Sequence, residues 1–396
     1  MMWKKGIALL WGLMLLATVP TFGRAAAESN AKVTVILVSD NEADGSVVQY
    51  LANVTGAVVV TTPWGRYDPN VTARIIAYAP DEVIIIGGPV AVSEEYASDL
   101  EELNITVERW GGANRYETNL KVMKEAMARF GLSFNESVII VPGNDSVALK
   151  KAVKIALRKR ALLLFVNGTD NVTERIIELH MRPKNVTLIG TPVMERVLLR
   201  AREHIREHLN TSVEEVEVNM TAQTALEAIN ASEERIEAAR EMLQNVTLPP
   251  SREKLADKML NLSEMELERA KEAYNEGKYG RAYGQAIAAG AHAEFVIKIA
   301  SDEWNVQIKA NRTRMAEVFV WKVEKQLQVL EKAGINVTEL KGLVEQLKTA
   351  IANRDYDAID SLIHRIREKL LEIYTQGRFK LRERIVFPAH RGHGKP

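Results

Sequence analysis

Residues 83–95 read VIIIGGPVAVSEE: four β-branched residues run into Gly87-Gly88-Pro89, and acid-flanked polar residues follow. A continuous apolar run without polar alternation is the pattern of a strand covered on both faces of a parallel sheet. A glycine pair at its end permits a tight exit that turns the next loop outward. Similar runs occur on either side: VTVILV (33–38), GAVVVTT (56–62), ESVIIVPG (136–143), RALLLFVN (160–167) and NVTLIGT (185–191), with helical patterns between them. Strands alternating with helices predict an α/β layered domain.

The region also repeats. Val71-Thr72-Ala73-Arg74-Ile75-Ile76 aligns with Val172-Thr173-Glu174-Arg175-Ile176-Ile177, and after a two-residue shift Pro80, Val83, Gly87, Pro89 and Val90 align with Pro183, Val186, Gly190, Pro192 and Val193. This is a tandem duplication of a unit of about 100 residues, in which Gly88 becomes Thr191. After about residue 210 the pattern turns to long helical periodicity with no convincing strand, the first helix expected over 213–244. Ala282, Ala286, Ala289, Ala291 and Ala293 predict close helix packing through small side chains. The expected fold class is therefore α/β, tandem flavodoxin-like parallel-sheet units followed by an all-α helical bundle. Its expected divisions are 1–27, 32–208, 209–376 and a basic, mobile tail over 377–396.

The 396 residues carry 52 basic and 52 acidic side chains, so no global basicity points to nucleic acid. Lys4-Lys5, an apolar stretch from Gly6 to Val19 and Ala25-Ala26-Ala27 match the three parts of a secretory signal, with cleavage expected after Ala27. A spanning helix needs roughly 20 apolar residues, more than this stretch supplies. Cysteine is absent, which excludes disulfides, thiol chemistry and thiolate zinc sites. Asn-x-Ser/Thr occurs at Asn53, Asn70, Asn104, Asn135, Asn144, Asn167, Asn171, Asn185, Asn210, Asn219, Asn230, Asn245, Asn261, Asn311 and Asn336, 15 of the 22 asparagines. With Ser and Thr at about 9% of the chain, chance supplies about two, so the excess points to N-glycosylation of an exported protein.

The glycine turn lacks both the third glycine of a dinucleotide fingerprint and the lysine of a P-loop, and Pro89 removes a backbone donor. No cofactor is expected. VIIIGGPVAVSEE, followed by VERWGGANRYETN (107–119) and preceded by VILVSDNEADGSV (35–47), resembles the cell wall-binding repeat of type 2, a family of prokaryotic surface proteins. Asn41-Glu42-Ala43-Asp44 matches its front motif. Gly112-Ala113-Asn114-Arg115-Tyr116-Glu117-Thr118-Asn119 matches its closing motif at Gly, Arg, Tyr and Thr, with Asn114 replacing Asp and Asn119 replacing Ala. The resemblance is strong over 32–127 and weaker over 136–204, and it implies units that attach exported proteins noncovalently to an anionic envelope polymer. The resemblance implies units used in threes, so either two suffice here or self-association supplies the third from another chain.

An Arg-Tyr pair behind a glycine pair offers a planar fork for phosphate or carboxylate. The plainer reading is that Arg115 pairs with Asp40 or Asp44 and Tyr116 packs under the turn. Candidate polymer-binding residues are thus Asp40, Asn41, Asp44, Gly87, Gly88, Asn114, Arg115 and Tyr116. A second cationic candidate is LKKAVKIALRKR (149–160), where Lys151, Lys154 and Arg158 share one helix face. His204-Ile205-Arg206-Glu207-His208 fits the His-x-x-Glu-His pattern of inverted zinc peptidases but needs a third ligand, so no metal site is expected. The sequence thus predicts a secreted, glycosylated, non-enzymatic cell-surface protein. Its helical half would serve as a spacer or bind a protein partner, and its basic tail is a candidate for peripheral membrane contact. A zinc metallopeptidase at His204, Glu207 and His208, or a small-ligand receptor, are the rivals.

Overall fold

The computed structural model describes residues 32–168 and 171–383; the expected signal segment (1–27) and the tail beyond residue 383 lie outside them. The first repeat runs β1 (Thr34–Ser39), α1 (Glu42–Thr55), β2 (Val58–Thr62), α2 (Pro69–Ala77), β3 (Glu82–Ile86), α3 (Glu95–Glu101) and β4 (Thr106–Trp110). Helix α4 (Arg115–Phe130) leads into the second: β5 (Ser137–Pro142), α5 (Ser146–Lys159), β6 (Leu162–Val166), α6 (Val172–Glu178), β7 (Asn185–Gly190), α7 (Glu195–His208) and β8 (Ser212–Glu217). Both sheets are parallel, ordered β2-β1-β3-β4 and β6-β5-β7-β8. Their registers match: Thr34, Glu82 and Thr106 stand level in one sheet, as Ser137, Asn185 and Ser212 do in the other. The duplication read from the sequence is therefore a duplication of hydrogen-bond pairing.

The six expected runs all form strands, but each sheet has a fourth that the sequence reading missed. Strand β8 overturns the reading of no strand after residue 210: residues 212–217 complete the second sheet, past the expected limit at 208, and the helix begins at Ala222. Both β4 and β8 are edge strands with half-exposed residues and repeated glutamates or a charged pair, so they lack the apolar run of a buried strand. Charged edges of this kind also discourage pairing with another chain.

Alternation along the central strands divides the core. Val35, Leu37, Val83 and Ile85 face α2 and α3, whereas Ile36, Val38, Ile84 and Ile86 face α1, α4 and the second sheet. Six helices follow: α8 (Ala222–Gln244), α9 (Pro250–Asn275), α10 (Tyr279–Ala310), α11 (Arg312–Lys332), α12 (Thr338–Asn353) and α13 (Tyr356–Glu383). They pack as two groups rather than as one bundle. Helices α8–α10 close on an alanine-rich seam including Ala239, Ala256, Ala270, Ala286, Ala289 and Ala293. Of the five alanines expected to pack closely, Ala291 is exposed. Helices α11–α13 bring a leucine-rich layer over α2 and α3, and Lys322 anchors it with Nζ 2.9 Å from the buried carboxylate of Asp99. Helix α13 continues through Glu383, so residues 377–383 are helical where a mobile tail was expected; Gly377 is packed against Ile335.

Candidate functional site

The C-terminal ends of parallel strands are where an α/β sheet presents its loops. In the first repeat two glycine motifs meet there. Gly87, at φ +115°, donates its N–H to the Trp110 carbonyl at 3.2 Å, and Gly111 lies directly against the Gly87–Gly88 peptide. Asn114 caps α4, its side chain accepting the N–H groups of Tyr116 and Glu117 at 3.0 Å, while Glu117 accepts the Ala113 N–H at 2.9 Å. Asparagine in place of the family's aspartate keeps that cap. The Tyr116 ring lies so close to Gly143 that a Cβ there would stand 2.7 Å from it. Arg115 donates Nη1 to the Gly143 carbonyl at 3.2 Å and stands 3.9 Å from Glu294 on α10.

Asp44 lies behind Arg115, 6% exposed, with the Ser39 hydroxyl 3.4 Å from its Oδ2. Burial pushes its carboxyl from 3.8 up to about 6, against the opposing pull of Arg115. A group protonated more readily in the folded than in the unfolded chain makes stability fall as pH rises from about 4 through 6, and then level off. The cost is of order 3 kcal/mol. Asp44→Asn is expected to remove most of that pH dependence, measured as the difference in urea midpoint between pH 5 and pH 8. An unchanged difference would place the titrating group elsewhere.

Asp40 pairs with Arg235 of α8 at 2.7 Å rather than with Arg115. Asn41 caps α1 and donates Nδ2 to Glu294 at 3.1 Å. Between these loops and the faces of α8 and α10 lies a cleft of about 650 Å³, with Arg66, Arg115 and Arg235 set against Asp40, Glu42, Glu234, Glu237, Glu241 and Glu294. The loops of both repeats thus share one groove, roofed by helices and richer in acids than in bases.

The second repeat solves the same junction differently. Asp145, fully buried, caps α5 through the Ala148 N–H at 3.1 Å and accepts both the N–H (2.8 Å) and the hydroxyl (2.9 Å) of Thr191. Thr191, the counterpart of Gly88, supplies a donor that glycine lacks. Tyr283 of α10 reaches Asp145 at 3.5 Å and Ser146 at 2.8 Å, fixing the helical layer to this turn. Asn119, the other departure from the family pattern, is also fully buried. It donates to the Leu163 carbonyl at 3.0 Å and accepts the Phe165 N–H at 2.9 Å, so α4 closes the open edge of β6.

Lys151, Lys154 and Arg158 lie on the exposed side of α5 and make no ion pair among the described residues. Lys150 and Lys159 beside them are paired with Glu42 and Glu227, and with Glu214. His204 and His208 stack with ring centroids 5.7 Å apart, and His208 Nδ1 contacts the His204 carbonyl at 2.9 Å. Among the described residues no third histidine, cysteine or carboxylate joins them in a metal-holding group, so the geometry gives the zinc-peptidase reading no support.

These features define a tandem α/β repeat protein whose loops are roofed by its own helical layer. The chain belongs to the family of the uncharacterized protein MJ0755 of Methanocaldococcus jannaschii, with 34% identity over 281 residues, 69% of this chain and 78% of that protein. No family model matches the chain, so none supports the repeat type that its motifs resemble. A stretch of 142 residues is 28% identical to the N-acetylmuramoyl-L-alanine amidase LytC of Bacillus subtilis, covering 36% of this chain and 27% of the amidase. Cwp6 from Clostridium difficile aligns with a TM-score of 0.39 and 19% identity over 47% of this chain and 29% of its own. The expectation of a non-enzymatic chain is corrected by the amidase match: a partial likeness to an enzyme removes the ground for excluding catalysis and is too short to assign it.

Proposed function

We propose that the protein is a cell-surface component whose tandem α/β repeats hold it noncovalently on an anionic envelope polymer, with the roofing helices as spacer or partner-binding part. Part of the chain resembles a protein named as an N-acetylmuramoyl-L-alanine amidase, and that likeness supports an envelope setting. The motif resemblance to the cell wall-binding repeat of type 2 supports the mode of attachment. The observation that carries the reading is the exposed stripe of Lys151, Lys154 and Arg158 on α5, which makes no ion pair among the described residues. Asp40, Asn41, Asn114 and Arg115 are engaged in caps and ion pairs within the protein, so the polymer contact is assigned to α5. Export and glycosylation fit the sequon asparagines, twelve of which are exposed and three half-buried: Asn144, Asn167 and Asn171.

Because the helical groups share cores with the repeats, the test uses the whole chain. Lys151→Gln, Lys154→Gln and Arg158→Gln together should lower sedimentation with purified envelopes roughly tenfold at low salt, the loss expected when three cations stop neutralising a polyanion. High salt should weaken the unsubstituted protein similarly. A triple variant that sediments like the unsubstituted protein would overturn the assignment.

A further inference from the structure

We propose that the cleft between the strand-end loops and the helical roof binds a small organic cation with several amino groups, of the linear polyamine class. The cleft stands where both sheets reverse their strand order: β1 lies between β2 and β3, and β5 lies likewise between β6 and β7. Open α/β sheets take their ligands at such points, and about 650 Å³ is within the usual range of a small-molecule site. The roof is tied but leaves this space open. The Ser232 hydroxyl of α8 donates to the Ala286 carbonyl of α10 at 2.6 Å, whereas Ala231 and Ala291, both exposed, line the cleft with methyl groups only. Ala291, set apart from the packed alanines of its helix, thus preserves the width of the site.

Charge selects the ligand. Each arginine of the cleft is committed to an acid: Arg66 to Glu241 at 2.9 Å, Arg235 to Asp40 at 2.7 Å, and Arg115 to Glu294 at 3.9 Å. Glu42, Glu234 and Glu237 remain. Lys150, 3.8 Å from Glu42, and Arg240, 3.3 Å from Glu237, lie outside the lining and are shared with Glu227 and Glu264. Glu234 has no ion pair among the described residues. An anion would meet this acidic excess and no guanidinium without a carboxylate partner, whereas a cation meets acceptors. Glu234, Glu237 and Glu241 recur at i, i+3 and i+7 along α8, a span of about 10 Å that suits a chain of ammonium groups. A single compact ion fits less well, because among the described residues no three acids or histidines gather into a metal-holding group. Trp64 lines the same cleft, its N–H held by Asp40 Oδ1 at 2.9 Å, and indole is the ring that attracts an ammonium group best. Ile287 and Ile297 offer an apolar wall to the methylene spacers.

This inference is independent of the polymer reading, because it uses the acidic cleft and not α5. Isothermal titration of the whole chain with spermidine at physiological salt should show one saturable site, and putrescine, which has one amino group fewer, should bind more weakly. Glu234→Gln with Glu237→Gln should weaken spermidine roughly tenfold, the scale for two solvent-facing ion pairs. Ala291→Leu, which fills the cleft from an exposed position, should block it. The α5 triple variant should bind spermidine normally, and the double glutamate variant should sediment with envelopes as the unsubstituted protein does, so the two readings fail separately. Glutamate, glucose and magnesium chloride should not displace spermidine. The absence of a saturable site, unweakened binding by both cleft variants, loss in the α5 variant, or displacement by any of these three competitors would overturn the proposal.

Discussion

Replacing Asp145 with alanine is expected to lower the unfolding free energy by about 3–5 kcal/mol, the scale for removing a buried charged acceptor from several donors at once. Burial pushes this carboxyl up, yet the backbone N–H groups of Ala148 and Thr191, the Thr191 hydroxyl and the Tyr283 hydroxyl all converge on it. Without it, two buried backbone donors lose their acceptor. The α5 cap, the exit of β7 and the seat of α10 then loosen together. Tyr283→Phe removes one long bond to Asp145 and one to Ser146 and should cost about 1 kcal/mol. Urea unfolding checks both. Similar midpoints for the two variants would show that the anchor lies in α10 and not in the carboxylate.

Gly111→Ala should be at least as damaging, at roughly 3 kcal/mol or more, because the strain falls on backbone. A Cβ at Gly111 would overlap the Gly87 carbonyl and stand 2.7 Å from the Gly88 nitrogen. Neither group can swing aside as a side chain would. The control is Gly45→Ala on α1, where nothing lies within 4 Å of an added Cβ. Thermal unfolding of the two variants should separate widely, and equal midpoints would mean that the two glycine motifs do not touch as described.

The buried strands were legible because no other element needs an unbroken β-branched run, and the duplication was legible because register preserves spacing. Edge strands were not, since half-exposed residues carry no such signature. At the site, Tyr116 was expected to pack under the glycine turn that precedes it; its ring lies instead against Gly143 in the second repeat. Arg115 was expected to pair with Asp40 or Asp44; it pulls on the Asp44 carboxyl electrostatically, but its ion-pair contact is Glu294, and Asp40 and Glu294 meet partners more than a hundred residues away that no local pattern names. Asn119 left one usable signal: it shares the i, i+3, i+4, i+7 stripe of Val122, Met123 and Ala126, so a polar residue occupied a core position.

That asparagine gives the tandem a direction. Helix α4 is synthesised before β6, so the upstream half brings the lid for its successor, and the vulnerable rim of the later sheet is closed as soon as it is laid down. Deleting the leading half would strip that lid away, whereas deleting the trailing half would leave it with nothing to cover.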